Sequence, residues 1–259
     1  MTITNIASHT DIGRIREENQ DAVNCHTDDH RPYGFFVLAD GMGGYSGGAI
    51  AAQIVVDSVS HCLLAVPTDH FIGSSVEQQS EQLRNAVHHA IQAANQAVLH
   101  YKVDAPATLA KMGSTLVLGV AWQQLLIVAH VGDSRAYLWN HGLLRQITKD
   151  HSLVQEMMDR SEITEELAQQ SKFANVITQA MGIAETVEPD LAEFITDEDS
   201  VVMACSDGLS GYLSSQDVAT ELAQNLPLME SCYRMVECAN ERGGRDNITV
   251  VLAELSPTG

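Results

Sequence analysis

Very short links between apolar runs constrain this chain more than any other feature. Runs at 114–121, 125–131 and 135–139 are separated or bounded only by "WQQ", "GDS" and "NHG". A parallel crossover needs a dozen or more residues, so links this short predict antiparallel neighbours in a meander. Further strand-like runs fall at 3–8, 33–39, 190–195, 201–205 and 247–254, bounded by Gly, Asp or Asn. Between the second and third runs the pattern predicts two helices. One covers about 46–65, with Ser46 as its N-cap and apolar residues nearly all round. The other covers 80–102, with one apolar stripe from Leu83 to Tyr101. Residues 66–80 read as an exposed loop between them. Helical patterns return at 149–170, 214–224 and 228–241. Strands in runs and helices in pairs predict an α+β domain whose antiparallel sheets are covered by helices.

Four of the apolar runs meet an aspartate beside Gly or Asn: Asp40 in "FFVLADGMGG", Asp133 in "LLIVAHVGDSR", Asp207 in "VVMACSDGL" and Asp246 in "GGRDNITVVL". Asp21 in "REENQDA" is a fifth candidate. A lone Asp-Gly is usually a turn. Strand ends can converge, however, and converging carboxylates cannot all stay ionised without a cation. Oxygen donors with no His or Cys in these motifs favour Mg²⁺ or Mn²⁺ over zinc. Gly41 has no side chain, so its carbonyl can approach an ion held by Asp40, with Gly43 and Gly44 leaving space above.

The formal charge is −20, from 34 acidic and 14 basic residues, which argues against nucleic acid or anionic membrane as partners. Five cysteines without a CxxC pair support neither a disulfide framework nor a thiolate zinc site. "MTITNIASHT" lacks the regions of a signal peptide. Apolar runs such as "LLIVA" fall short of the ~20 residues of a membrane span. These features predict a cytoplasmic protein.

Taken in order, "GRIREENQDA", "VLADGMGG", "MGSTLVLG", "VGDSRAYL", "ITKDHSLV", "ITQAMG", "CSDGLSGYL" and "GRDNITVVL" resemble the metal-dependent Ser/Thr protein phosphatases of type 2C, the PPM family, in compact bacterial form. The resemblance runs from about residue 8 to 254. It implies a four-layer α/β/β/α sandwich, two antiparallel sheets flanked by helices, as a single catalytic domain over 1–259. A flap subdomain at about 150–178 would discriminate substrates. The resemblance makes Asp40 the carboxylate bridging two Mn²⁺ or Mg²⁺ ions, with the Gly41 carbonyl on the second. Asp207 and Asp246 would complete the first ion's ligands, and Asp133 would share a weaker third ion with Asp207. Asp21 would orient metal-bound water, and Arg16 would grip the substrate phosphate. It implies hydrolysis of phosphoserine and phosphothreonine by water held between the two core ions. A guanidinium suits a phosphate because its fork meets two oxygens and stays charged.

Gln20 replaces a usual Glu, Met42 a histidine of eukaryotic members, Gly211 an acid and Gln179 a frequent arginine. A catalytically impaired module that binds phosphoproteins is the alternative these departures raise. A hydrolase of small phosphate esters is another. His88, His89 and His100 lie on a polar helix face and read as surface residues, and His151-Ser152 are too close in sequence to act as base and nucleophile. Expected partners are phosphorylated proteins, substrates of a bacterial Ser/Thr kinase, met by a monomer.

Overall fold

Successive side chains of β3 (Tyr33–Met42) enter two different cores. Phe35, Val37 and Ala39 share one core with α1 (Gly47–Leu64) and α2 (Val76–Asp104), while Phe36 and Leu38 face the opposing sheet. Side chains alternate along a strand, so a run apolar at every position marks a strand covered on both faces. The computed structural model describes residues 2–256, apart from 29, 45, 165–166, 169–170, 174 and 196–198.

Among the described residues the strands form two antiparallel sheets. One has the order β1 (Thr2–Asp11), β11 (Ile248–Ser256), β10 (Ser200–Cys205), β7 (Arg135–Asn140), β8 (Leu143–Gln146). The other has β2 (Asp21–Thr27), β3, β5 (Leu116–Trp122), β6 (Leu125–Val131), β9 (Asp190–Ile195), with β4 (Gly113–Ser114) on the end of β3. After α3 (Leu153–Asp159), the chain forms α4 (Asp207–Ser210), α5 (Ser215–Leu222) and α6 (Leu228–Glu241). Val250 and Leu252 pack outward with Val218, Cys232 and Met235 from α5 and α6, while Val251 and Ala253 face Phe36 and Val128 between the sheets. The result is the expected α/β/β/α sandwich.

The meander holds only in part. β5 pairs with β6, and β7 with β8 through His141–Gly142, where φ is +50° and +77°. Positive φ at both turn residues fits the twist of a two-residue hairpin. β6 and β7 lie in different sheets although only Gly132–Ser134 separate them. Gly132 has φ +105°, and a Cβ there would lie 2.7 Å from the Thr115 side chain. The chain therefore leaves one sheet at Gly132 and starts β7 in the other.

Other boundaries also move. Ser46 makes no side-chain cap bond. α2 starts before the apolar stripe because Ser75 and Gln78 bond reciprocally, Gln78 N to Ser75 Oγ at 3.3 Å and Ser75 N to Gln78 Oε1 at 3.0 Å. The loop expected at 66–80 is shortened accordingly, and Thr68 and Phe71 within it are buried rather than exposed. Of the helical pattern at 149–170, α3 covers Leu153–Asp159, and Leu167 and Ala168 are also helical, while residues 165–166 and 169–170 lie outside the described residues. α1 is long and apolar enough to cross a membrane, unlike the short apolar runs of the strands. Half of it is buried in the core shared with β3 and α2, as befits a helix that covers one face of a sheet.

Candidate active site

The two sheets bring their strand ends together at the aspartates. Asp21 opens β2 and stands directly opposite Asp40 in the β2–β3 ladder. Asp40 lies inside β3 rather than at its end, because Gly41 and Met42 go on to pair with β4. Thr115 holds it there: Asp40 N donates to Thr115 Oγ1 (3.0 Å) and Thr115 N donates to Asp40 O (2.8 Å). Asp133 follows β6, Asp207 begins α4 straight after β10, and Asp246 precedes β11. Strands of both sheets thus contribute.

Burial raises the Asp40 carboxyl well above the usual range, and Asp21, Asp207, Asp133 and Asp246 add like-charge repulsion. Burial also raises Asp21, opposed by hydrogen bonds that its Oδ2 accepts from Thr249 Oγ1 (2.6 Å) and Ser206 Oγ (2.8 Å). Asp133 is pushed up to about 7, by burial first and then by Asp207 and Asp150. Burial and Asp246 raise Asp207, tempered by a hydrogen bond with Asp40 and the charge of Arg16. Arg16 Nη2 donates to Asp246 Oδ2 at 2.7 Å. Of the six ionisable residues singled out by the sequence, the other five all lie within electrostatic reach of Asp40.

A hard divalent cation fits these groups. Asp21 Oδ1 is buried with no hydrogen-bond partner among the described residues. Five carboxylates around one guanidinium leave negative charge that such an ion would balance with its preferred oxygen donors.

The glycines around Asp40 serve backbone packing as well as access. A Cβ at Gly41 would lie 2.1 Å from the Gly48 carbonyl oxygen, and one at Gly48 would lie 2.7 Å from the Gly41 oxygen. The start of α1 and the end of β3 can touch only because both are bare. Gly43 is less a spacer than a required conformation: its φ is +109° and a Cβ would lie 2.7 Å from Met112 Cα. Gly44 does face open space.

Several residues that shape the site stand outside the aspartate and arginine motifs. Asn247 is foremost. Its Oδ1 accepts from Gln20 N (2.8 Å), and its Nδ2 donates to Ile12 O (2.9 Å) and Glu18 O (3.0 Å). It thereby ties the loop bearing Arg16 to the residue after Asp246. Its place in "RDN" was the available signal. Ser206 and Thr249 anchor Asp21 and would not stand out in any strand. Of the departures, Gln20 donates from Nε2 to Glu18 Oε2 (3.2 Å) and its backbone oxygen accepts from Gly41 N (3.0 Å). Gly211 closes α4, where a Cβ would lie 2.9 Å from the Asp207 carbonyl oxygen, so a larger residue needs a shifted backbone. His88, His89 and His100 are exposed on α2, as expected.

Residues 13–253 match the protein phosphatase 2C family. The chain belongs to that family. The serine/threonine phosphatase Stp of Listeria monocytogenes is 32% identical over 246 residues, covering 95% of this chain and 93% of that protein. The serine/threonine phosphatase of S. agalactiae superposes with TM-score 0.86 at 33% identity, covering 98% and 99% of the two chains. The catalytic domain of PstP, solved with two manganese ions, superposes with TM-score 0.81 at 33% identity over 97% and 98%. The present protein phosphatase 2C is a serine/threonine protein phosphatase acting on phosphoproteins, with a site suited to divalent metal. The alternative of an inactive binding module finds no support among these relatives.

Proposed function

We propose that Asp40, Asp207 and Asp246, with the Gly41 carbonyl, hold two Mn²⁺ or Mg²⁺ ions, and that Asp133 and Asp207 hold a weaker third. The observation that carries this reading is the meeting of five carboxylates from two sheets at one place, with an oxygen of Asp21 buried and unpartnered. Bound cations would supply Lewis-acid charge to the phosphoryl oxygens and acidify water for hydrolysis.

The chain's own residues do the rest. Asp21 is fixed through Oδ2 by Ser206 and Thr249, which leaves Oδ1 to orient water. Arg16 is half-exposed at the rim and donates to Asp246 through one nitrogen, so its remaining N–H groups can take phosphate oxygens. Met42 offers no proton, so solvent must protonate the leaving alkoxide. The unaided hydrolysis is so slow that positioning and charge neutralisation must supply most of the acceleration.

The finer setting belongs to the same proposal. A chain of charge −20 should favour phosphosites flanked by Lys or Arg, made by a bacterial Ser/Thr kinase. Residues 150–178, of which 165–166, 169–170 and 174 lie outside the described residues, would discriminate among substrates as the flap of a single catalytic domain over 1–259. The enzyme would work as a cytoplasmic monomer.

The deciding experiment is dephosphorylation of a phosphothreonine peptide with Mn²⁺, with EDTA, and by Asp207→Asn with Mn²⁺. Turnover that needs the metal and collapses in the variant is expected. Full turnover in EDTA, or by Asp207→Asn, would refute the assignment. Equal rates on acidic and basic peptides at low salt would remove the charge preference.

A further inference from the structure

Beside the Gly132 turn, His130, His151 and Asp190 place ligand-type atoms within 4.8 Å of one another, a set that could hold a metal ion. The hydrogen bonds argue otherwise. His151 Nδ1 accepts from Gly132 N (3.2 Å), and Gln179 Nε2 points a second donor at it from 3.3 Å. A ring nitrogen that accepts carries no proton, so the proton of neutral His151 sits on Nε2, which faces Asp190 Oδ2 at 3.4 Å. That nitrogen has no lone pair for a cation. His130 stacks on the ring with centroids 4.6 Å apart, and its own Nε2 is 2.8 Å from Lys149 O, which only accepts.

What the arrangement does is clamp one glycine twice. His151 N donates to Gly132 O (2.9 Å) while Gly132 N donates to the His151 ring. The clamped peptide leads straight into Asp133. From the other side Thr115 closes on the same turn: its side chain fills the space a Cβ of Gly132 would need, and its Oγ1 bonds Ser134 Oγ at 2.7 Å. His151 also joins the two ends of the segment 152–178. Its carbonyl accepts from Thr178 N (2.9 Å), and Ser152 bridges Ile177. Arg135 grips Asp150, next to His151, through two nitrogens at 2.9 and 2.8 Å.

We propose that His151, through the acceptor nitrogen Nδ1, is a positioning residue that sets Asp133 and ties the root of residues 152–178 to it. The proposal rests on the reading of Asp133 as ligand of the weaker ion.

The test measures Mn²⁺ binding by calorimetry in the full chain. His151→Ala and His151→Gln should weaken the weakest class of sites about tenfold, the cost typical of losing a partner that orients a metal ligand, and leave the tighter sites unchanged. His151→Asn should restore binding, because its Oδ1 reaches the place of Nδ1 whereas the longer Gln overshoots it. Hydrogen exchange at the Gly132 amide should follow the same order: fast in Ala and Gln, slow in wild type and Asn. Asp133→Asn separates the two layers. If it leaves every class of Mn²⁺ site intact, the ligand reading of Asp133 fails. If it removes the weak class while His151→Ala binds like wild type, the positioning role fails. Equal weakening in His151→Asn and His151→Ala overturns it too. Should the variants not fold, ¹⁵N shifts of the wild-type ring decide, with a protonated Nδ1 contradicting the proposal. Zn²⁺ uptake lost in Asp190→Asn but kept in Asp133→Asn would make the trio a metal site and end it.

Discussion

The carboxyl groups of Asp40 and Asp207 come from different sheets yet meet closely enough for the charge of Asp207 to raise Asp40. Burial and the other aspartates push Asp40 the same way, so its neutral form is favoured unless a cation balances the cluster.

Asp40→Asn follows from this. The amide carries no charge, so it relieves the burial and like-charge repulsion that raise Asp40. In EDTA the variant should melt higher than wild type, by about 2–4 °C for each kcal/mol gained at this chain length. With Mn²⁺ its turnover should fall by about a thousandfold, the scale of losing a main electrostatic contact in a transition state. Thermal melts and peptide assays on the same preparations check both. A lower melting point in EDTA would show that Asp40 is not under electrostatic stress.

The pH dependence of the chelated protein has a definite sign. Asp133 holds its proton up to about 7, well above an unfolded aspartate, and Asp40 and Asp21 are raised as well. The native state thus binds more protons than the unfolded chain above the ordinary carboxylate range. Stability from these groups is complete below that range and is lost as pH rises through about 7. His130, lowered by burial, acts in the opposite sense, with an effect that is mostly over once pH has risen past its ordinary value near 6.5, and Asp217, held down by Arg242, titrates lower still. Between pH 6.5 and 8 Asp133 alone should cost about 1 kcal/mol. Urea midpoints in EDTA should fall across this interval, and saturating Mn²⁺ should abolish the fall. A flat midpoint in EDTA would contradict the buried cluster.

Arg16 should matter to substrate and hardly to folding. Its ion pair with Asp246 is half-exposed, so Arg16→Ala should change stability by less than about 1 kcal/mol. The KM for phosphopeptide should rise about tenfold or more, and Arg16→Lys should recover little, since an ammonium cannot meet two phosphate oxygens in a fork. Steady-state kinetics beside urea unfolding separates the effects. A large stability loss with unchanged KM would make the residue structural.

Much of this was legible along the chain, for a physical reason. β3, β5, β6, β10 and β11 are covered on both faces, so their apolar runs are continuous and unmistakable. β2 and β8 are edge strands with partly exposed residues, and "DAVNCHT" and "LLRQ" carry no such run. Gly132 misled because a three-residue link looks like a hairpin until Thr115, distant in sequence, is seen to force the turn outward. The same limit applies at the site. Aspartates at strand mouths announce themselves locally, whereas Ser206 and Thr249 act on Asp21 from the opposite end of the sequence. The order of motifs named the family, but these supports exist only once the sheets have met.

Asn247 gives the sharpest test of such a support. Its side chain makes three hydrogen bonds to backbone groups of the 12–20 loop, and it is itself buried. Asn247→Ala would leave Gln20 N, Ile12 O and Glu18 O without this partner, at a cost of about 2–4 kcal/mol if each bond contributes about 1 kcal/mol net. Asn247→Asp keeps the acceptor for Gln20 N but loses both donations and adds a negative charge beside Asp246. It should therefore be at least as damaging as Ala in EDTA. Because the loop carries Arg16, both variants should raise KM for phosphopeptide more than they lower kcat. Urea unfolding with Mn²⁺ and EDTA, followed by steady-state kinetics, measures each part. Lost stability with an unchanged KM would mean that the Arg16–Asp246 pair, not Asn247, sets the loop.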